Sequence, residues 1–360
     1  MQTFDYAADE IRCQADKIKY SMLDTLKGGN PVIFGAGICG HKIYDLLHGY
    51  DIRVACFCDN ALGGSIDKAT GIKIIGEEEL RNSISDSEIL VCVDSEDVCK
   101  SICGQLRSLG FDERQIHRMN TYFYWQTKEY FEMHIERYKK VYQLLEDDFS
   151  KRVYLERMKK AFLLHDMSAV VSPCEEEYFD EKVVLTDDEM FIDCGGFVGD
   201  SSMRFIEHCH GKYRGIVIFE PESCKKAEIE KNLGHNRYEL YQLGVWSEET
   251  KLYFDAVGTC SSHISEKESD YVIKTAALDE LVFDKRPTYI KMDVEGAEQE
   301  ALKGCRKIIQ TYKPKLAICI YHKPEDLYEI PIMIKEINPE YKLYVRQYAN
   351  AWFDTVLYAV

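Results

Sequence analysis

Three carboxylates and a histidine stand where apolar runs of the chain end, and these side chains are well suited to chemistry. Asp293, Glu295 and Glu298 lie in the segment DVEGAE, directly after the predicted strand 289–292, and His322 follows the apolar strand 315–320. Carboxylates could bind a divalent cation, which prefers oxygen ligands, or hold a hydroxyl group and take its proton. Histidine can act as a base near neutral pH. Asp293, Glu295 and His322 are therefore the candidate catalytic residues, and no metal is assigned.

A glycine-rich turn marks a second candidate site. The apolar run 190–192 suits a buried strand, and it leads into Asp193 and then Gly195, Gly196 and Gly199. Glycines let the backbone approach a ligand that a Cβ atom would push away. A strand, a glycine turn and a helix form the first unit of a doubly wound sheet, in which ligands bind at the carboxyl ends of the strands. The spacing D-x-G-x-x-x-G resembles the first motif of S-adenosylmethionine-dependent methyltransferases, in which the carboxylate and glycines surround the methionine part of the cofactor.

The next strands add further candidates at the same edge. The run 215–219 ends at Glu220, whose carboxylate can accept hydrogen bonds from both hydroxyls of a ribose. A third strand leads to Val245 and Trp246, either of which could lie against an adenine ring, although a buried core tryptophan is equally compatible with the pattern. These residues complete the candidate cofactor site.

The elements that position these residues alternate between strands and helices. Such alternation predicts an α/β fold with parallel sheets covered on both faces. Residues 178–360 predict seven strands, of which the last is antiparallel. Residues 1–120 predict a second Rossmann-like doubly wound sheet. Residues 121–177 predict a helical connector, broken near 147–150 with Ser150 as a cap, followed by the solvated acidic run 175–177.

The N-terminal domain carries its own glycine motif. Gly35, Gly37 and Gly40 follow a short strand and precede a helix, which is the context that G-x-G-x-x-G requires, and Asp59 ends the next strand about 20 positions on. One interpretation is a nucleotide or nucleotide-sugar site. The other is that the glycines only allow close packing of strand and helix.

Composition narrows the function classes. The chain has 360 residues, a net charge of −17 and 46% hydrophobic residues, which suits a soluble protein with packed cores. It has no basic run of the kind that binds nucleic acid, no apolar run long enough to span a membrane and no N-terminal signal peptide, so we expect a cytoplasmic protein. Fourteen cysteines without a C-x-x-C pair indicate reduced, structural thiols.

Four segments together resemble the FkbM-type methyltransferase family: IDCGGFVGDSS, IFEPES, IKMDVEGAEQEALKG and IYHKPEDLYEIP. The resemblance covers roughly residues 178–360. It implies a class I methyltransferase fold, S-adenosylmethionine as the methyl donor, and O-methylation of a hydroxyl on a sugar, polysaccharide or secondary metabolite. It also implies that Asp193, Gly195, Gly199 and Glu220 bind the cofactor, and that Asp293, Glu295 and His322 face the acceptor.

The sequence thus predicts an S-adenosylmethionine-dependent methyltransferase. Its expected partners are a small-molecule or carbohydrate acceptor, a nucleotide-type ligand in the N-terminal domain and a second copy of the chain in a homodimer. Two alternatives stay open. One is an NAD-dependent sugar oxidoreductase or epimerase that works from the N-terminal glycines, and the other is a non-enzymatic nucleotide-binding scaffold. The acceptor, the methylated position and the need for a metal are not fixed by the sequence.

Overall fold

The structure is a computed structural model. It describes residues 3–83, 87–93, 96–119, 127–163, 174, 176–255, 263–264, 272–348 and 354–360. The loop 258–262, which the sequence places near the active site, lies outside these residues. The described residues fall into two compact units. The first takes in the chain up to Ile135 and again from Leu155 to Leu163, and the second takes in Glu136–Tyr154 and the described residues from Cys174 onward. The sequence-based boundaries after residues 120 and 177 stay a prediction.

The first unit is built on a six-stranded sheet. Its strands lie in the order β3-β4-β2-β1-β5-β6, and all neighbouring strands are parallel except the pair β3 and β4. The elements are α1 (Phe4–Gly28), β1 (Val32–Phe34), α2 (Ile38–Gly49), β2 (Cys56–Cys58), β3 (Ser65–Ile66), β4 (Lys73–Ile75), α3 (Glu77–Ser83), β5 (Ile89–Val91), α4 (Glu96–Ser108) and β6 (Ile116–Arg118).

Two long helices follow, α5 (Lys128–Leu144) and α6 (Asp148–Leu163). They confirm two helices with a break between them, but Ser150 is not the cap. Asp147 precedes α6, and its Oδ1 accepts a hydrogen bond of 2.7 Å from the Ser150 backbone N–H. A carboxylate satisfies a free N–H at a helix start better than a hydroxyl inside the first turn can. Sequence pattern alone leaves both residues as candidates.

The second unit contains a seven-stranded sheet in the order β16-β17-β15-β14-β7-β8-β9 and a four-stranded sheet in the order β10-β13-β11-β12. The elements are β7 (Met190–Cys194), α7 (Asp200–His208), β8 (Gly215–Phe219), α8 (Lys226–Leu233), β9 (Tyr238–Tyr241), β10 (Gly244–Val245), β11 (Thr250–Asp255), β12 (His263–Ile264), β13 (Val272–Ala276), α9 (Leu278–Leu281), β14 (Tyr289–Met292), α10 (Glu298–Lys303), α11 (Arg306–Tyr312), β15 (Lys315–Cys319), α12 (Asp326–Ile337), β16 (Leu343–Gln347) and β17 (Thr355–Ala359).

The seven-stranded sheet confirms the predicted mixed α/β class. Strands β9, β8, β7, β14 and β15 are parallel, and β17 pairs antiparallel with both β15 and β16. The central strands are apolar and buried on both faces, as parallel sheets require. The order of strands brings the ends of β7, β8 and β14 to one edge, where the candidate residues follow them. The four-stranded sheet was not predicted, because its strands are short and its pairs join segments far apart in sequence.

Two further observations concern the whole described chain. The cysteines that the structure describes are free thiols, most of them buried, as the sequence predicts for structural thiols. None of the described helices combines the length and the apolar character that crossing a bilayer requires.

Candidate active site

A cavity of about 320 Å³ lies at the carboxyl edge of the seven-stranded sheet. Its volume is within the range of small-molecule sites, which is about 300–1,000 Å³. The residues that the sequence singled out divide into two groups. Those that line the cavity are Gly195, Glu220, Val245, Trp246, Asp293 and Glu295. Those that lie behind its lining are Asp193, Gly196, Gly199 and His322.

Asp193 is fully buried beneath the glycine turn. Its Oδ2 accepts hydrogen bonds from the hydroxyls of Ser201 (2.7 Å) and Ser202 (2.6 Å). Its Oδ1 lies 3.3 Å from Nζ of Lys291, which also donates a 2.7 Å hydrogen bond to the Gly195 carbonyl. The carboxylate thus ties the end of β7 to the start of α7 and to β14. In this arrangement Asp193 holds the turn in shape.

The glycines of this turn are required by close packing. Gly195 has a φ of +81°, and a Cβ atom there would meet the carbonyl oxygen of Asp293 at 1.8 Å. A Cβ atom on Gly196 would meet Cγ2 of Ile218 at 2.3 Å. Gly199 has a φ of +84°, which L-residues rarely adopt, and it precedes α7. The turn therefore presses against β8 and β14 with no room for side chains.

Glu220 lies at one end of the cavity and is held by backbone. Its Oε2 accepts a hydrogen bond from the Phe197 N–H (2.8 Å), and its Oε1 accepts one from the Glu222 N–H (2.9 Å). Burial raises the pKa of Glu220 to about 7, and these two donors only partly oppose that rise. Each carboxylate oxygen keeps a further lone pair with which it can accept a hydrogen bond from a ligand.

The walls beside Glu220 are apolar. Val245 is buried on β10, and the half-buried Trp246 follows it. The backbone N–H of Trp246 donates a hydrogen bond to the Ala276 carbonyl. Leu243 and Ile273 line the same part of the cavity. A flat aromatic ring would find apolar contacts here, which favours the predicted adenine-facing role over a purely internal one for these two residues.

Asp293 follows β14 at the other end of the cavity. Its Oδ2 accepts a hydrogen bond from the Tyr178 hydroxyl (2.9 Å), and the Tyr321 hydroxyl lies 3.4 Å from its Oδ1. Burial favours the neutral acid, but the positive charges of Lys291 and His322 outweigh burial and lower the pKa of Asp293. Asp293 is therefore ionised at neutral pH.

His322 follows β15 and its side chain is 5% exposed. Its Nε2 lies 3.4 Å from Oδ1 of Asp293 and 3.6 Å from Oε2 of Glu295, and its Nδ1 lies 2.8 Å from Oε1 of Glu298. Burial acts to lower the pKa of His322, but the three carboxylates outweigh it and raise the pKa to about 10. The imidazole is accordingly protonated at neutral pH, which argues against the predicted role of base in the free protein.

Glu295 completes this cluster in an uncommon backbone conformation. Its φ is +54°, in the left-handed region, and it is followed by Gly296 with a φ of +91°. Burial raises the pKa of Glu295 to about 8, with Asp293 and Glu298 adding to the rise. A strained backbone that places a half-buried carboxylate of raised pKa in a cavity is typical of functional sites.

Four of the cavity residues that the sequence does not single out bear on its chemistry. Lys291, in the middle of a buried strand, supports Asp193 and the turn. Tyr178 orients Asp293. Glu177 and Asp354 line the cavity, and burial raises their pKa values to about 8 and about 6 respectively. The sequence predicts a solvated loop at Glu177, and no local signal in the acidic run 175–177 indicates that its side chain lines a cavity.

The titratable side chains of the lining are mostly acidic. Lys291 is the one basic residue among the described lining residues, and its ammonium group is already bound to Asp193 and Gly195. The acidic members are Glu177, Asp200, Glu220, Glu222, Asp293, Glu295 and Asp354. A cavity of this kind favours a cationic ligand and disfavours one that carries phosphates.

The N-terminal glycine motif is arranged differently. Oδ2 of Asp59 accepts a hydrogen bond from the Ala36 N–H (3.1 Å), and its Oδ1 accepts two more from the Ala61 and Leu62 N–H groups. A Cβ atom at Gly40 would meet the Gly35 carbonyl oxygen at 1.9 Å, whereas one at Gly37 would meet nothing within 4 Å. Gly35 and Gly40 therefore serve packing, and the predicted nucleotide site stays a prediction.

Residues 193–346 match the family model described as the methyltransferase FkbM domain. This part of the chain is an FkbM methyltransferase domain. The prediction of a methyltransferase is confirmed at that level, because the matched range contains every strand end from which the cavity's candidate residues arise. No curated protein matches the sequence.

One solved structure resembles this chain over both the FkbM domain and the N-terminal part. It is a methyltransferase FkbM from Methylobacillus flagellatus KT, with a TM-score of 0.74 and 21% identity, covering 99% of this chain and 100% of that one. At this identity the likeness establishes the fold alone. An rRNA methylase from Streptococcus thermophilus has a TM-score of 0.31 and 14% identity, covering 49% of this chain and 88% of its own, which is too distant to carry an argument.

Proposed function

We propose that the FkbM domain binds S-adenosylmethionine in the 320 Å³ cavity and methylates a hydroxyl group of a sugar, polysaccharide or secondary metabolite. The excess of carboxylates in the cavity lining is the observation that carries the proposal. S-adenosylmethionine, when bound, supplies an electrophilic methyl group on a positively charged sulfur. Among the described lining residues the one cation, Lys291, is already bound to Asp193 and Gly195, so the lining offers no free positive charge to the pyrophosphate of NAD and suits a positively charged sulfur better. It therefore favours methyl transfer over the oxidoreductase alternative.

The two ends of the cavity suggest how the chain's residues share the work. Glu220 would accept hydrogen bonds from the ribose hydroxyls, and Val245 and Trp246 would lie against the adenine ring. The glycine turn, held by Asp193, would carry backbone close to the methionine part. These roles are matters of positioning, which is the main source of rate in a direct transfer between two bound molecules.

At the opposite end, Asp293 and Glu295 would bind the acceptor hydroxyl. His322 is cationic and would offset the charge of Asp293. We assign proton acceptance to Glu177, because its Oε1 is buried without a hydrogen-bond partner among the described residues and burial brings its pKa to about 8. The best pKa for a general base lies near the working pH. The acceptor oxygen would gain the methyl group, the sulfur would keep the electron pair of the broken C–S bond, and Glu177 would receive the proton.

Calorimetric titration of the full chain with S-adenosylhomocysteine and, separately, with NAD tests the cofactor. We expect S-adenosylhomocysteine to bind at micromolar concentration and NAD not to bind in this cavity. Glu220→Gln should weaken S-adenosylhomocysteine binding at least tenfold. Glu239→Gln, on the exposed side of β9, is the matched control and should bind as the wild type does. Binding of NAD alone, or equal affinity in wild type and Glu220→Gln, would contradict the assignment.

Methyl transfer from labelled S-adenosylmethionine to a panel of monosaccharides, polysaccharides and hydroxylated metabolites then tests the acceptor. With any acceptor found, Glu177→Gln should lower kcat by about 10²–10⁴-fold, which is the usual contribution of a general base. Glu176→Gln, one residue earlier and exposed, should leave kcat unchanged. Transfer to a nitrogen or carbon atom would refute O-methylation, and an unchanged kcat in Glu177→Gln would refute the role of Glu177.

A further inference from the structure

Asp293, Glu295 and His322 converge at the acceptor end of the cavity. Oδ1 of Asp293, Oε2 of Glu295 and Nε2 of His322 supply one atom each, and such atoms of the three residues lie within 4.8 Å of one another. Two of the residues line the cavity, and the third lies directly behind them. The group therefore faces the space in which the acceptor is proposed to bind.

The imidazole of this group makes no hydrogen bond to the described part of the chain. Both ring nitrogens of His322 are buried and have no hydrogen-bond partner among the described residues, and Nε2 is the one that faces Asp293 and Glu295. Its distances of 3.4 Å and 3.6 Å to the two carboxylates are longer than an N–H···O bond, which is about 2.7–3.2 Å. They are close to the separation of about 3.0–3.4 Å expected between two atoms that each lie about 2.1 Å from one metal ion, at angles from octahedral to tetrahedral.

The surrounding residues orient two of the three side chains, His322 and Asp293. Oε1 of Glu298 lies 2.8 Å from Nδ1 of His322, and the same oxygen accepts a 2.9 Å hydrogen bond from the Val294 N–H. Tyr178 occupies Oδ2 of Asp293, so that Oδ1 is the oxygen turned to the group. A carboxylate behind the remote ring nitrogen of a histidine is the usual support of a metal-binding imidazole.

We propose that Asp293, Glu295 and His322 bind one divalent cation. Two carboxylate oxygens and one imidazole nitrogen suit a cation of intermediate character such as Mn²⁺. The cation would take the place of the ring proton, because the carboxylates that attract that proton attract a dication more strongly. Three protein ligands leave coordination positions open towards the cavity, where an acceptor hydroxyl could bind and become more acidic. This last consequence, though not the cation site itself, rests on the proposed function.

Titration of the chelator-treated full chain with Mn²⁺, followed by the loss of the free-ion electron paramagnetic resonance signal, tests the site. We expect one Mn²⁺ per chain with a dissociation constant below 1 mM. Asp293→Asn, Glu295→Gln and His322→Ala should each weaken Mn²⁺ binding more than tenfold. Glu298→Gln should weaken it about 10–100-fold, as substitutions behind a ligand do. Glu220→Gln, at the other end of the same cavity, should leave it unchanged.

S-adenosylhomocysteine binding separates this proposal from the previous one. The three ligand variants should keep their affinity for S-adenosylhomocysteine, which also shows that they are folded, while Glu220→Gln should lose that affinity and keep Mn²⁺. Absence of Mn²⁺ binding in a wild type that binds S-adenosylhomocysteine would overturn the cation site alone. Unchanged Mn²⁺ binding in all three ligand variants would also overturn it. Failure of the wild type to bind S-adenosylhomocysteine would overturn the proposed cofactor and leave the Mn²⁺ result standing.

Discussion

Lys291 and Asp193 are paired residues of the neighbouring parallel strands β14 and β7, and their charged groups lie 3.3 Å apart in the interior. Both side chains are almost completely excluded from solvent. The ammonium group also donates a hydrogen bond to the Gly195 carbonyl, and the carboxylate accepts bonds from two serines. A buried ion pair of this kind is compensated by its hydrogen bonds, so removal of one partner should be costly.

Lys291→Met should lower the free energy of unfolding by about 3–5 kcal/mol, because it leaves the Asp193 charge buried and unpaired. Urea denaturation measures this change. Lys285→Met is the control, since Lys285 pairs with the exposed Glu239 and should contribute less than about 1 kcal/mol. The double variant Asp193→Asn with Lys291→Met should recover part of the loss. A loss below 1 kcal/mol in Lys291→Met would show that the pair does not hold the turn.

Glu220 should make cofactor binding depend on pH. Its pKa of about 7 means that the carboxylate becomes ionised between pH 6 and 8, and the ionised form accepts hydrogen bonds from ribose hydroxyls better. The affinity for S-adenosylhomocysteine should therefore rise about tenfold from pH 6 to pH 8 and then level off. Calorimetry at four pH values checks this. Glu220→Gln should remove the slope and Glu239→Gln should preserve it, whereas a slope that persists without Glu220 would assign it to another group.

Gly195→Ala should be more harmful than an alanine at another glycine of positive φ. A Cβ atom at Gly195 would overlap the Asp293 carbonyl oxygen, while one at Gly211, whose φ is +73°, would meet nothing within 4 Å. Gly211→Ala should cost about 1–2 kcal/mol, the price of the left-handed backbone alone. Gly195→Ala should cost clearly more in urea denaturation and should abolish S-adenosylhomocysteine binding. Equal losses in the two variants would contradict the close contact.

Glu177 should make the free energy of unfolding depend on pH. Its pKa is raised by burial from an ordinary value near 4.5 to about 8, so the folded state favours the neutral acid. Between these values the unfolded chain releases the proton first, and stability is lost progressively as the pH rises from about 4.5 to 8. Glu177→Gln stays neutral and should avoid this loss.

The comparison of wild type and Glu177→Gln at pH 5 and pH 9 checks the sign. The variant should be more stable than the wild type at pH 9 by at least about 1 kcal/mol and nearly equal to it at pH 5. Glu176→Gln should behave as the wild type at both values. A variant that is destabilised at pH 9 would show that the ionised Glu177 is bound by a partner.

The local sequence pattern predicts which residues follow the strands, but it predicts little about the buried side chains that contact those residues. Glu220 and Asp293 could be placed because each directly follows a predicted strand, and parallel strands bring such ends to one edge. Lys291 gives no comparable signal, since a lysine inside a strand usually indicates an exposed face. Its burial follows from the strand register that places it opposite Asp193. The raised pKa of His322 could not be predicted for the same reason, because Glu298, which helps to raise it, belongs to another element, α10.

The contact between Gly195 and Asp293 links the two ends of the cavity. The Cα atom of Gly195 lies directly against the carbonyl of Asp293. The Asp293 backbone N–H donates a hydrogen bond to the carbonyl of Cys194, the last residue of the neighbouring strand β7. Neither segment can shift without the other. Occupancy of the turn and occupancy of the acceptor end should therefore influence each other, and thermodynamic reciprocity requires each ligand to change the affinity of the other by the same factor. Under the proposed function, the absent side chain of Gly195 would therefore couple the binding of donor and acceptor.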